Sequence, residues 1–360
     1  MKDIRMVLPN MASDTAGAAS ALFELGGLSV IHDAAGSMES YITFDEQRDL
    51  EGKRTVASRL SRLEAITGDD GILLHKLMQE CKDDVPNFIA IIGSPIPFTV
   101  GTDLDGIAAE AAFNTGVPAF AVNSGGFELY DKGAGEALVK LMEKIAAAPE
   151  RKTHTVNLLG ATPMDYSSTE LEGISAQLRA QGYEAVHPLT MGQGIESIRC
   201  AAEAELNLVV SAAGLPAARY MEQKFGIPYS IGVPIAFDGA PTPAADKKLL
   251  LLGEAVLTKQ LVRLLRESGI DAVAGVTGSD DKEIFSHVPS IRLDTESGIR
   301  AELKKHYFAV VGDPLYKLLL PANSETIFIP RPHGALSGRL YPPCARTLPQ
   351  LMDEIKRCLQ

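Results

Sequence analysis

Short unbroken apolar runs alternate with amphipathic stretches along most of the chain, and the alternation repeats. NLLGATPMDYSSTELEGISAQLRAQGYEAV (157–186) reads as strand, glycine turn, amphipathic helix, glycine, strand. LLLLGEAVLTKQLVRLLRESGIDAV (249–273) repeats that order, and its LRESGIDAV matches LRAQGYEAV nearly residue for residue. A second type of unit follows each: NLVVSAAGLPAARYMEQKFGIPYSIGVP (207–234) and FAVVGDPLYKLLLPANSETIFIPRP (308–332). FIAIIGSPIPFTVGTDLDGIAAEAAFNTGVPAFAVNS (88–124) is a related unit nearer the start. Continuous apolar strands alternating with helices of 3.6 period predict parallel sheets buried on both faces and joined by right-handed crossovers.

Local patterns fill in the rest. LSVIHDAAGS (28–37) predicts a strand ending at His32 and a turn of small residues. In 57–80, Leu60, Leu63, Ile66, Ile72, Leu73 and Leu77 predict two helical stretches around a glycine turn. In 135–148, Leu138, Leu141, Met142 and Ile145 line one helix face. The reading is an α/β chain of three Rossmann-like domains, 1–150, 151–245 and 246–360, around a central cleft. The boundaries rest on PERKTHT (149–155) and DGAPTPAADKK (238–248), where the pattern is interrupted. In such sheets ligands sit beyond the carboxyl ends of the strands.

Composition narrows the function. The 360 residues hold 34 Lys and Arg against 46 Asp and Glu, a formal net charge of −12 with no basic cluster, which argues against nucleic-acid or anionic-membrane surfaces. FIAIIGSPIPFTV (88–100), the most apolar stretch, is broken by Pro95 and Pro97 and is shorter than the roughly 20 residues of a membrane span. MKDIRMVLPN lacks the apolar core of a signal peptide, so a soluble cytoplasmic protein is expected. Cys81, Cys200, Cys344 and Cys358 have no CxxC spacing, which disfavours disulfides and a self-contained zinc or iron–sulfur site. GxGxxG, GxxxxGK[ST] and GxSxG are all absent, leaving dinucleotide, ATP and serine-hydrolase readings without support.

Several segments, in order, carry a family likeness. SDTAGA (13–18), VIHDAAGS (30–37), GSPIPFTVGTDLDGIAAEA (93–111) and PAFAVNSGGFELYDKGAGEAL (118–138) lie in the first third. ARYMEQKFGIPY (218–229), FAVVGDPLYKLLL (308–320) and IPRPHGALSG (329–338) follow. Together they resemble the nitrogenase component 1 family, which includes molybdenum–iron protein subunits, their cofactor-assembly scaffolds and protochlorophyllide reductase subunits. The resemblance spans essentially the whole chain and implies the same three-domain architecture.

The departures from that pattern matter most. The family's inter-subunit cluster is held by cysteines at positions that are here Ser13, Ser37 and Ser94. Iron–sulfur clusters need soft thiolates, and serine hydroxyls are hard and weakly acidic. The three serines stand, with Glu136 and His333, as family-matched cofactor-binding candidates, and the alternative is that they cap helices or turn the chain. A cofactor cysteine of the catalytic members is also missing near NLVVSAAG (207–214). His333 matches the family's cofactor-ligating histidine, on a loop at the carboxyl end of a strand. Arg331 and Arg339 bracket it, which suggests as an alternative a cationic pocket for a carboxylate or phosphate. Glu136 falls near a cofactor-facing histidine of the family; His32 is expected to shape its turn, and Asp103 to cap a helix.

The resemblance implies a subunit of a nitrogenase-like oxidoreductase, accepting electrons through a homologous component 1-type subunit, or a second copy of itself, from an ATP-dependent iron–sulfur reductase. An iron–sulfur cluster or metallocofactor is then expected only where a partner supplies the thiolates. The alternatives are a cluster-free scaffold or binding protein for a metallocofactor, tetrapyrrole or other small molecule, and a two-lobed binding protein sharing only the fold.

Overall fold

The computed structural model describes residues 6–36, 41–49, 51–147, 152–237 and 247–360. Ser37 and the domain boundaries expected at 150/151 and 245/246 lie outside the described residues. The strands form three sheets, and every pairing is parallel. The first contains β1 (Leu28–Ile31), β2 (Thr55–Ala57), β3 (Ile89–Ile92) and β4 (Ala119–Val122), ordered β2-β1-β3-β4. The second contains β5 (Thr155–Leu159), β6 (Ala185–Pro188), β7 (Leu206–Val209) and β8 (Tyr229–Ile231), ordered β6-β5-β7-β8. The third contains β9 (Leu249–Gly253), β10 (Ala272–Val276), β11 (Ser290–Arg292), β12 (Ala309–Gly312) and β13 (Ile327–Pro330), ordered β11-β10-β9-β12-β13. Apart from the edge strand β11, all three share one topology, as the internal repeats require.

The apolar runs become the buried strands. β3, β5 and β9 are buried along their whole length. The helix Ala255–Glu267 covers β9 and β10 with Val256, Leu261, Val262 and Leu265. Two expected helices differ. The stretch after β12 forms only a 3₁₀ turn, Pro314–Leu319. Pro314 suits a helix start, but Pro321 cannot continue one, so the stretch is held to little more than one turn. The helix expected from 135 begins at Tyr130 instead. Its first turns carry Gly133 and Gly135, whose lack of side chains hid the period. A Cβ on Gly133 would overlap the Asp14 carbonyl, and one on Gly17 the Tyr130 carbonyl. Glycine at both positions lets this helix cross the helix Asp14–Leu22 at backbone contact.

The amino-terminal segment reaches the third sheet. The amides of Met6, Val7 and Leu8 all donate to Glu296 Oε2, and Ala12 N donates to Ala335 O. Tyr130, the Asp14 helix and the carboxyl ends of the second and third sheets thereby meet at one junction. No helix among the described residues is long and apolar enough to cross a membrane.

Candidate functional site at the three-sheet junction

The carboxyl ends of the strands deliver most of the junction's polar groups. Glu254 follows β9, Thr277 follows β10, Asp313 follows β12, and Thr162 and Asp165 follow β5. His333 follows β13 and is only 2% exposed. Its amide donates to Asp313 Oδ2 at 2.7 Å, which fixes the loop just before the short helix Gly334–Ser337. Its ring Nε2 lies 3.0 Å from Asp165 Oδ1 and 3.3 Å from the Tyr130 hydroxyl. Tyr130 donates to the same Asp165 oxygen at 2.5 Å and meets the imidazole edge-on at 5.9 Å between centroids. Asp165 accepts from both, so in the neutral ring the proton sits on Nε2 and the lone pair on Nδ1.

That Nδ1 is buried and has no hydrogen-bond partner among the described residues. Asp165 Oδ2, Asp131 Oδ1, Thr162 Oγ1 and Thr277 Oγ1 share this condition. Buried polar atoms are almost always paired, so these five, four just past strand ends and Asp131 on the helix that Tyr130 begins, single out the junction as the candidate site. Asp131 Oδ2 accepts from Ser279 N, tying the first domain's helix to the loop after β10. Burial raises the Asp131 carboxyl above its ordinary range and pushes the Tyr130 phenol well up, with Asp165 adding to the latter. Arg331, two residues before His333, is held by Glu170 at 2.9 Å and by the Asp165 carbonyl at 2.7 Å.

Glu254 is buried and accepts from the amides of Ala212, Val256 and Leu257. Burial, with the nearby Asp165 charge, outweighs those donors and raises its carboxyl to about 8. The folded state therefore holds this proton more tightly than the unfolded chain. The associated stability is complete below the ordinary glutamate value and is lost as pH rises toward 8. Denaturant titrations at pH 5 and pH 8.5 should show stability falling, and Glu254→Gln should flatten that dependence. An equal slope in both proteins would refute the assignment.

The sequence-predicted residues do not gather at one place. Ser13 and Ser94 line one pocket of about 210 Å³ with Asp33, Tyr41 and Asp45. Ser13 caps its helix by accepting from Ala16 N, and Ser94 donates to the His32 carbonyl at 2.8 Å. Burial and neighbouring Glu46 raise Asp45 there to about 7. Oxygen donors line this pocket, and no described group of three or more His, Cys, Asp or Glu could hold a metal ion. The residues present thus do not fit a thiolate-held cluster. Glu136 is elsewhere: half-buried, it accepts from Asn123 N at 2.9 Å.

The cationic pocket expected from Arg331 and Arg339 does not form. Arg331 is neutralised by Glu170, and Arg339 donates to the Glu46 carbonyl. His32 bonds Ser58 through Nδ1 at 2.9 Å, and Asp103 caps its helix through Gly106 N. Sequence reasoning missed Tyr130, Asp131, Asp165 and Glu254. The usable signal was an acid within a few residues of a strand's carboxyl end, seen in Glu254, Asp313 and Asp165.

Residues 13–242 match the family model of the nitrogenase component 1 type oxidoreductases. The chain belongs to this family. The nitrogenase iron-molybdenum cofactor biosynthesis protein NifE of Nostoc sp. (strain PCC 7120) is 27% identical over 176 residues, covering 47% of this chain and 36% of that protein. NifE of Clostridium pasteurianum is 27% identical over 183 residues, 49% of this chain and 39% of that protein. The chain thus spans well under half the length of these curated relatives. A solved structure of nitrogenase Cp1 at pH 6.5 superposes with a TM-score of 0.73 at 15% identity, covering 100% of this chain and 94% of that one. At that identity the match speaks for the fold alone: three parallel α/β sheets in a component 1 arrangement.

Proposed function

We propose that this chain is a cluster-free component 1-type subunit. It binds a metallocofactor, a tetrapyrrole or another small metal complex at the three-sheet junction through His333 Nδ1, beside a homologous partner that supplies thiolates. One observation carries this reading: Asp165 holds the His333 ring through Nε2 and leaves the buried Nδ1 lone pair without a partner. A carboxylate behind a histidine is the arrangement that orients an imidazole for ligation. The likeness to NifE proteins, named for cofactor biosynthesis, favours holding a cofactor over catalysing turnover.

The bound centre would supply any redox chemistry. The chain's residues orient and shield it: Asp165 fixes the ring, Tyr130 and its phenol proton stay next to Asp165, and burial excludes water. In a redox complex, electrons would come from an ATP-dependent iron–sulfur reductase by way of the partner. The serine-lined pocket of Ser13 and Ser94 would have no part in carrying them.

His333→Ala should remove the bound chromophore or metal from protein isolated anaerobically, while circular dichroism stays that of the fold. Asp165→Asn keeps the side chain's shape but weakens its hold on Nε2–H, and should lower affinity by about tenfold to a hundredfold. An unchanged absorption spectrum and metal content in His333→Ala would refute the reading.

A further inference from the structure

The first domain has a second cavity, at the carboxyl end of its own sheet, whose lining contains none of the junction's residues. It measures about 620 Å³ and is lined by His32 after β1, Ser58 after β2, the helix Arg62–Thr67, the start of the helix Asp70–Asp83 and residues 100–103. In the order β2-β1-β3-β4, the chain leaves β1 toward one edge of the sheet and β3 toward the other, so the cavity adjoins the switch point where ligands of open parallel sheets bind. Its size is that of small-molecule sites.

Three independent observations point to a ligand. His32 is only 4% exposed and lines the cavity; Ser58 takes its Nδ1, and Nε2 has no protein partner among the described contacts. Burial lowers its pKa, so the ring is neutral at pH 7. The charge of the lining is one-sided. Glu64, Asp69, Asp70 and Asp103 face a single lysine, Lys76, which is already paired with Glu64. Asp69 starts its helix without a side-chain capping bond. The third observation is apolar: the helix Arg62–Thr67 buries none of its residues, and at the cavity Ile66 and Val100 are 71% and 53% exposed.

We propose that this cavity binds a small organic cation, a protonated amine carried on an apolar body. The ammonium is held by Asp69 and Asp70, His32 Nε2 takes a hydrogen bond, and the body lies against Ile66 and Val100. A carboxylate or phosphate ligand would meet uncompensated like charge, and a bare metal ion would leave the apolar wall uncovered. This site is independent of the His333 junction, so either proposal can fail alone.

The test is calorimetric titration of the full-length chain with tryptamine, its neutral analogue tryptophol and its anionic analogue indole-3-propionate. Tryptamine should bind saturably, tryptophol about tenfold or more weakly, and indole-3-propionate not at all. Asp70→Asn, a change on a partly exposed helix start, should weaken tryptamine by about tenfold with unchanged circular dichroism. Absence of saturable tryptamine binding at millimolar concentration overturns the proposal. So does equal binding of all three compounds, or saturable Mg²⁺ binding that Asp70→Asn abolishes in a protein that ignores tryptamine.

Discussion

Gly133→Ala should cost this protein more than about 3 kcal/mol and move the Tyr130 end of the junction. The new Cβ would fall on the Asp14 carbonyl, a backbone atom that no side-chain rotation can clear. The helices Asp14–Leu22 and Tyr130–Ile145 would have to part, and Tyr130 begins the second of them. Its hydroxyl would leave Asp165, so any ligand held by His333 should also bind more weakly. Gly36→Ala is the matching control. Among the described residues nothing lies within 4 Å of its added Cβ, so its stability should be unchanged. Denaturant midpoints for both variants decide the matter. A Gly133→Ala protein as stable as Gly36→Ala would mean that the crossing is looser than described.

Arg331→Met should be comparably severe, for an electrostatic reason. The guanidinium is 7% exposed and Glu170 is 1% exposed, and each is the other's ion-pair partner across the second and third sheets. Removing the cation leaves a buried carboxylate uncompensated, a loss of about 3 to 5 kcal/mol. Glu170→Leu in the same protein should recover much of it, because an apolar pair of similar volume avoids both desolvation costs. Thermal and urea unfolding of the single and double variants would show this recovery. A double variant no better than Arg331→Met would assign the loss to the Asp165 carbonyl contact instead.

The strands were legible because parallel strands buried on both faces need unbroken apolar runs, and β3, β9 and β12 are such runs. β5 is interrupted by Asn157, which is buried and hydrogen-bonded to Asn207 and the Ala201 carbonyl. The repeat gave the topology, since two units with the same order of strand, turn and helix pack the same way. β11 was not legible: Ser290–Arg292 is a three-residue edge strand whose residues are not buried, and it leaves no apolar run. Nor was the 3₁₀ turn after β12, where Leu318, Leu319 and Leu320 imitate a helix face between two prolines.

The same reasoning located the His333 loop but not its surroundings. His333 reads as a loop residue among Pro332, Gly334 and two arginines, and only the convergence of three sheets buries it. Its partners are 168 and 203 residues away in Asp165 and Tyr130, a separation that no local pattern reports. Arg331 was read as a free cation because Glu170, 161 residues earlier, carries no sign of the pairing. Ser13 and Ser94 were legible as departures from a cysteine pattern, and their shared pocket with Asp33 and Asp45 appears only once β1, β3 and the Asp14 helix are assembled.

Anaerobic affinity purification of the chain from its native host, with mass spectrometry and iron analysis of each separated subunit, addresses the central claim most directly. A stoichiometric homologue bearing the missing cysteines, with the thiolate-held iron–sulfur cluster on that homologue and no such cluster on this chain, whose own bound cofactor depends on His333, is the expected result. An iron–sulfur cluster retained by this chain alone would contradict it.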